Sequence, residues 1–200
     1  MSSTVTIGVL SVQGGVAEHI RMIEGLGAKA VPVRRAEHLA GLDGIILPGG
    51  ESTTMSRLLR LGGMLAPLRA AIDGGLPAFG TCAGLIMLAT EVLDTREDAV
   101  SLQVLDVTVR RNAFGRQVNS FETHVPFLGI EQPVHAVFIR APRVERVGDN
   151  VDVMCTVDGG TIVGVRQGHV LGTSFHPELS EDDSVHKYFL QMVRDAVHSR

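Results

Sequence analysis

The 200-residue sequence has little of several things that would fix its class outright. It has two cysteines, Cys82 and Cys155. That is too few for a disulfide framework, and a metal site would have to recruit several histidines. No apolar run approaches the roughly 18 to 20 residues of a membrane span, so no membrane partner is expected. There is no surplus of positive charge. Eighteen basic residues, sixteen of them Arg, stand against 22 acidic ones for a net charge of −4, which gives no reason to expect a nucleic-acid partner. The near absence of lysine (only Lys29 and Lys187) reads as codon composition. No Walker-type loop occurs, and the G-x-G-x-x-A of residues 25–30 falls at a predicted helix end instead of after a strand. The start of the chain lacks a basic segment ahead of its first apolar run, so no secretory leader is expected and a reducing, cytoplasmic setting is the simplest reading. No linker composition and no repeat divides the chain. One domain over residues 1–200 is expected, long enough to bury about 70% of its unfolded surface, and the 44% apolar fraction excludes disorder.

What is present alternates. Residues 5–12 (VTIGVLSV) form a nearly continuous apolar run, the pattern of a strand buried on both faces of a parallel sheet. Residues 16–26 carry apolar side chains at helical spacing and Gly27 stops them. Strands are predicted at 28–33, 44–47 and 77–81, with helices at 52–61 and 63–72, and helical spacing resumes at 85–89. The first 90 residues therefore read as an α/β unit with a mostly parallel sheet. Strand patterns follow at 104–110, 133–139, 151–157, 161–165 and 170–175, with a hairpin signal at Asp158-Gly159-Gly160 and a closing helix over 182–197. The expected fold is α/β in three layers: a mostly parallel open sheet flanked by helices, with antiparallel strands added in the second half.

Two short segments carry chemistry. Gly80-Thr81-Cys82-Ala83-Gly84 has the spacing of a nucleophile elbow, G-x-C-x-G, at a strand-to-helix turn. The flanking glycines are needed because a Cβ would clash in so tight a turn. Cys82 then sits at a helix N-terminus that favours the thiolate, and the Ala83 N–H after it faces a developing oxyanion. The pentapeptide alone also fits a buried core cysteine. In Ser174-Phe175-His176-Pro177-Glu178, residues two apart in extended chain share a side, so His176 and Glu178 project together as a base and its orienting group. Together the two segments fit a Cys-His-Glu triad. Leu47-Pro48-Gly49-Gly50-Glu51-Ser52 ends a strand at the sheet edge where ligands bind in open parallel sheets. Cys155 reads as inert core packing. His38, His186 and His198 read as solvated surface, and His19, His124, His135 and His169 have no partner at metal-ligand spacing, so no metal is assigned.

These segments resemble the class I, triad-type glutamine amidotransferases, and within them the glutaminase subunits of two-protein pyridoxal 5′-phosphate synthases. The resemblance is carried by Gly8-Val9-Leu10 with Gln13-Gly14 and Glu18-His19, by LPGGESTTM at 47–55 and by GTCAGLI at 80–86. It continues through RNAFGRQVNSFE at 111–122, VFIRAP at 137–142 and SFHPEL at 174–179. The segments cover the chain end to end, and residues 94–103 are the least family-like. The resemblance implies a flavodoxin-like sheet and hydrolysis of L-glutamine to glutamate and ammonia, with no cofactor. The ammonia would pass to a synthase subunit, a (β/α)8 barrel, that builds pyridoxal 5′-phosphate from a pentose phosphate and a triose phosphate. It makes Cys82 the nucleophile, His176 the general base and acid, and Glu178 its orienter. Gly50, Glu51, Ser52, Arg111, Ile139 and Arg140 would bind glutamine, with Arg111 and Arg140 holding its α-carboxylate. Gly49, Gly50 and Ala83 would form the oxyanion hole, and Gln13 would lie near it at the partner face. Three rivals remain: a glutaminase serving another synthase such as one making imidazole glycerol phosphate, a non-enzymatic thiol sensor or chaperone on a related sheet, and a cysteine peptidase.

Overall fold

The computed structural model describes residues 4–111 and 120–199. The first strands and helices follow the sequence pattern closely: β1 (Thr6–Leu10), α1 (Val16–Gly25), β2 (Lys29–Val33), β3 (Gly44–Leu47), α2 (Ser52–Leu61), α3 (Leu65–Asp73), β4 (Ala78–Thr81) and α4 (Ala83–Leu88). Then come β5 (Ala89–Leu93), β6 (Leu105–Arg110), β7 (Ser120–Val125), β8 (Val134–Ile139), β9 (Arg143–Val147), β10 (Asp152–Val157), β11 (Thr161–Gln167) and β12 (Val170–Thr173). A 3-10 turn at Pro177–Leu179 and α5 (Ser184–His198) close the chain.

The main sheet runs in the order β2-β1-β3-β4-β12-β11-β9-β6-β5, with β10 paired to β11. From β2 to β12 every pairing is parallel; β11, β9 and β6 continue it antiparallel, and β5 lies parallel to β6. The sheet is thus mostly parallel, as the alternating pattern predicts, and β7 and β8 form a separate antiparallel hairpin. Strand β3 shows why the centre holds. Its residues Ile45 and Leu47 enter the core shared with α2, α3 and α4, while Ile46 between them enters the core shared with α1 and α5. All three are fully buried, each worth about 1.5–3 kcal/mol of transfer free energy. Helices on both faces give the three layers. Among the described residues no helix is long and apolar enough to cross a membrane.

Three strands escape the sequence pattern. In β5 (ATEVL) the chain passes from helix to strand with no breaker between Leu88 and Ala89. β9 (RVERV) carries three charged residues in five, and β7 (SFETHV) pairs only with β8. The Asp158-Gly159-Gly160 hairpin is present between β10 and β11, all three residues at positive φ (47°, 75° and 134°).

Candidate active site

Parallel register brings four strand ends to one edge. Leu47 of β3 pairs with Gly80 of β4, and Thr173 of β12 pairs with Thr81 of β4. The segments that leave these strands, Gly49-Gly50, Cys82 and His176, therefore emerge side by side, with Gln13-Gly14 arriving from β1.

Cys82 occupies a sharp turn at φ 50°, ψ −106°, a strained conformation for a residue with a side chain. The neighbouring glycines allow it. A Cβ on Gly84 would lie 1.9 Å from the Leu47 carbonyl oxygen, and one on Gly80 would lie 2.5 Å from Gly84 backbone. The elbow is thus packed directly on β3, and its first free N–H groups, Ala83 among them, have no intrahelical acceptor. Cys82 is buried at 7% exposure. Cys155 is equally buried, but desolvation alone acts on it and pushes its thiol up to about 12.

The His176 N–H donates to the Val137 carbonyl of β8 (2.8 Å), which seats the segment after β12 on the hairpin. Its ring Nδ1 meets Glu178 Oε1 at 2.8 Å, and a Cβ on Gly49 would touch both the His176 ring and Cys82. Burial alone would lower the His176 pKa. Hydrogen bonds to Cys82 and Glu178, with the negative charge of both, outweigh burial and raise it to about 10. Cys82, His176 and Glu178 are therefore brought together, the histidine between a sulfur and a carboxylate.

Around them lies a cleft of about 510 Å³, lined by Gln13, Gly49, Gly50, Glu51, Ser52, Cys82, Ala83, Arg111, Ile139, Arg140 and His176 among others. That size suits a small ligand. Every residue expected at the site borders this one cleft. Their engagement differs, however. The Gly49 N–H donates to Thr81 Oγ1 (3.1 Å), and its carbonyl accepts from Gly15 (3.2 Å). Gln13 Oε1 accepts the Glu51 N–H at 2.7 Å, tying the β1 loop to the Gly-Gly turn. The Glu51 carboxylate caps α2 by accepting from the N–H and hydroxyl groups of Thr53 and Thr54. Slight burial would raise its pKa, but these bonds hold it at about 2. Glu51 also takes Arg111 Nη2 at 3.0 Å, whereas Arg140, at φ 44°, has no ion pair among the described residues. The remainder of the RN-x-FGRQ segment, 112–119, lies outside the described residues.

One assignment is corrected. His186, read as solvated surface, is fully buried on α5, and its Nε2 meets His19 Nδ1 at 2.9 Å. It stands three, four and seven residues before Phe189, Leu190 and Val193, all buried, so the helical stripe that contains it was visible in the sequence. Thr81, whose hydroxyl joins His19 to Gly49, had no sequence signal beyond its place inside the elbow.

Comparison with known proteins gives concordant findings. The pattern of the SNO glutamine amidotransferase family matches residues 9–195. A Corynebacterium jeikeium protein named "Pyridoxal 5'-phosphate synthase subunit PdxT" is 71% identical over 188 residues, spanning 94% of this chain and 96% of that one. A Nocardia farcinica protein of the same name is 58% identical over 196 residues, 96% and 87% of the two chains. A crystal structure of a glutamine amidotransferase superposes with a TM-score of 0.88 at 47% identity, covering 94% of this chain and 98% of that one. A buried cysteine on a glycine elbow, faced by a histidine and carboxylate from the next parallel strand, is the setting in which those matches fall, and the chain belongs to the SNO glutamine amidotransferase family.

Proposed function

We propose that the chain is the glutamine-hydrolysing subunit of a pyridoxal 5′-phosphate synthase, working as one domain in the cytoplasm with a (β/α)8-barrel synthase subunit that receives the ammonia. The observation that carries the reading is the placement of His176 between Cys82 and Glu178 in the cleft, in a chain so similar to proteins of that name.

In the proposed reaction the Cys82 sulfur, its charge balanced by protonated His176, attacks the side-chain carboxamide carbon of glutamine. A C–S bond forms, and the carbonyl oxygen takes negative charge opposite the oxyanion donors, the N–H groups of Gly49, Gly50 and Ala83. His176 gives its proton to the leaving nitrogen, and ammonia departs as the C–N bond breaks. Water then attacks the thioester, His176 accepts its proton, and the C–S bond breaks to release glutamate. Glu178 keeps the ring oriented and stabilises its cationic form. Arg140, with no carboxylate partner among the described residues, and Arg111, shared with Glu51, hold the substrate α-carboxylate, and Gly50, Glu51, Ser52 and Ile139 complete the cleft around the rest of glutamine.

Of the proposed oxyanion donors, the Gly49 N–H is spent on Thr81. Losing one such donor costs about 10²- to 10³-fold in rate, so the chain alone is expected to be a slow glutaminase. Docking of the synthase at Gln13 and the Gly49-Gly50 turn would release the donor. The test is ammonia release from glutamine with and without saturating synthase. A large rise supports the reading, and equal rates would remove the gating. Absence of turnover in both, or full turnover by Cys82→Ser, would remove the activity assignment and leave the thiol-sensor rival.

A further inference from the structure

Behind the triad lies a second buried polar group that the reaction above does not use. His19 of α1 and His186 of α5 are both fully buried, joined by the 2.9 Å contact between His19 Nδ1 and His186 Nε2. The other ring nitrogen, His19 Nε2, is 3.2 Å from Thr81 Oγ1 and 3.5 Å from Glu178 Oε2. That carboxylate oxygen is itself buried and has no hydrogen bond among the described residues. Thr81 Oγ1 in turn accepts the Gly49 N–H. One imidazole therefore touches both the group that orients the catalytic base and the hydroxyl that holds the Gly49 turn.

The tautomer follows from counting donors. His186 Nδ1 is buried without a partner among the described residues. If His19 Nδ1 donated to His186 Nε2, the proton of His186 would sit on that orphan nitrogen, an unmade buried N–H. His19 Nε2 would then present a lone pair to the Glu178 carboxylate, a repulsive contact. If His186 Nε2 donates instead, only a lone pair is orphaned, the milder defect. His19 Nε2–H then faces Thr81 Oγ1 and Glu178 Oε2 as a donor. Neutrality of both rings is consistent with their surroundings. Burial, with His186 and His176 nearby, holds the His19 pKa well below its usual value. Burial lowers His186 to about 4 against the opposing pull of Asp183 and Asp182.

We propose that His19, fixed in its Nε2–H tautomer by His186, is a positioning residue that supports the free oxygen of Glu178 and so the orientation of the His176 ring. It rests on the glutaminase reading, and it adds two buried histidines to the apparatus that reading uses. His19 does not touch substrate; it acts through Glu178. Loss of the donor therefore lowers kcat while leaving the KM for glutamine close to its starting value, because the residues proposed to hold glutamine are not among the His19 contacts.

The experiment uses the full chain with its synthase subunit and two variants of similar volume. His19→Gln keeps an N–H donor near the Nε2 position, and His19→Met does not. Thermal unfolding of each variant gives its folded fraction, to which kcat is normalised. The expected result is a fall of about 10- to 100-fold in kcat for His19→Met, as for other partners that orient a reacting group, with KM within about threefold. His19→Gln should restore most of it. Wild-type kcat in His19→Met, or equal loss in both variants, would overturn the proposal. Should His19→Met not fold, His186→Met takes its place, since it leaves His19 but removes what fixes its tautomer. A normal kcat there would overturn the proposal as well. If wild type itself releases no ammonia from glutamine, the functional reading fails, which is a different outcome from wild-type turnover unaffected by His19.

Discussion

The two halves of the main sheet do different work. From β2 to β12 the strands are parallel and short, all but the edge strand β2 are almost wholly buried, and the carboxyl ends of β1, β3, β4 and β12 lead to Gln13, Gly49, Cys82 and His176. From β11 to β5 the pairing is mainly antiparallel, and among the described residues this half contributes to the cleft only Arg111, at the end of β6. The β7–β8 hairpin adds Ile139 and Arg140 and supports the His176 backbone. The two cysteines mark the same division. Cys82 stands at a strand end with a histidine against it, while Cys155 stands inside β10 with only burial acting on it. The proposed chemistry thus falls at the ends of parallel strands, and much of the proposed substrate grip on what is added around them.

The sharpest way to break this comparison is His176→Asn. If the parallel edge holds the reacting groups, turnover should fall about 10³-fold or more with the fold intact, whereas Glu178→Gln should retain measurable activity. Equal losses would mean that Glu178 does more than orient the ring. Next in size is Gly84→Ala. The Leu47 carbonyl 1.9 Å from the new methyl cannot move without shifting β3, so urea unfolding should show a loss of about 3 kcal/mol. Gly25→Ala at the end of α1, with nothing within 4 Å of the added carbon, should be neutral or slightly stabilising.

A smaller effect is expected at the rim. Glu51→Gln weakens the cap of α2 and the Arg111 contact, and should cost about 1 kcal/mol. Because the Glu51 pKa is depressed to about 2, its contribution is present above the ordinary carboxylate range and disappears as pH falls from about 4.5 to about 2. The difference between wild type and Glu51→Gln should therefore shrink over that interval. Partial exposure of the side chain keeps the effect modest. Smallest of all is Cys155: a glutamine-like alkylating agent at neutral pH should label Cys82 and leave Cys155 unmodified. Labelling mainly at Cys155 would reverse the assignment of the two halves.

Legibility in the sequence follows the same line. The elbow could be read because its glycines are a steric demand, now visible as the contacts a Cβ would make at Gly80 and Gly84. His176-Pro177-Glu178 could be read because extended chain puts alternate residues on one side. The parallel strands could be read because burial on both faces leaves almost no polar residue in them. Strand β9 could not, since its alternation is carried by charged residues that pair with one another, Glu145 with Arg143 along the strand and with Arg110 of β6 across it. The contact of His19 with His186 joins residues 167 positions apart, and no local pattern carries that information. Glu51 was assigned to substrate, yet much of its carboxylate is engaged in holding a helix and an arginine.

The Cys82 N–H donates to the Thr173 carbonyl at 2.8 Å, continuing the ladder between β4 and β12 one residue past the strands themselves. The amide of Cys82 is thus a rung of the central sheet. Its hydrogen can reach solvent only when that centre opens, so on the timescale of hydrogen exchange it belongs with the slowest class of amides in the molecule. A loop could drift by an ångström while the fold stayed whole; here the backbone of Cys82 moves only with the centre of the sheet.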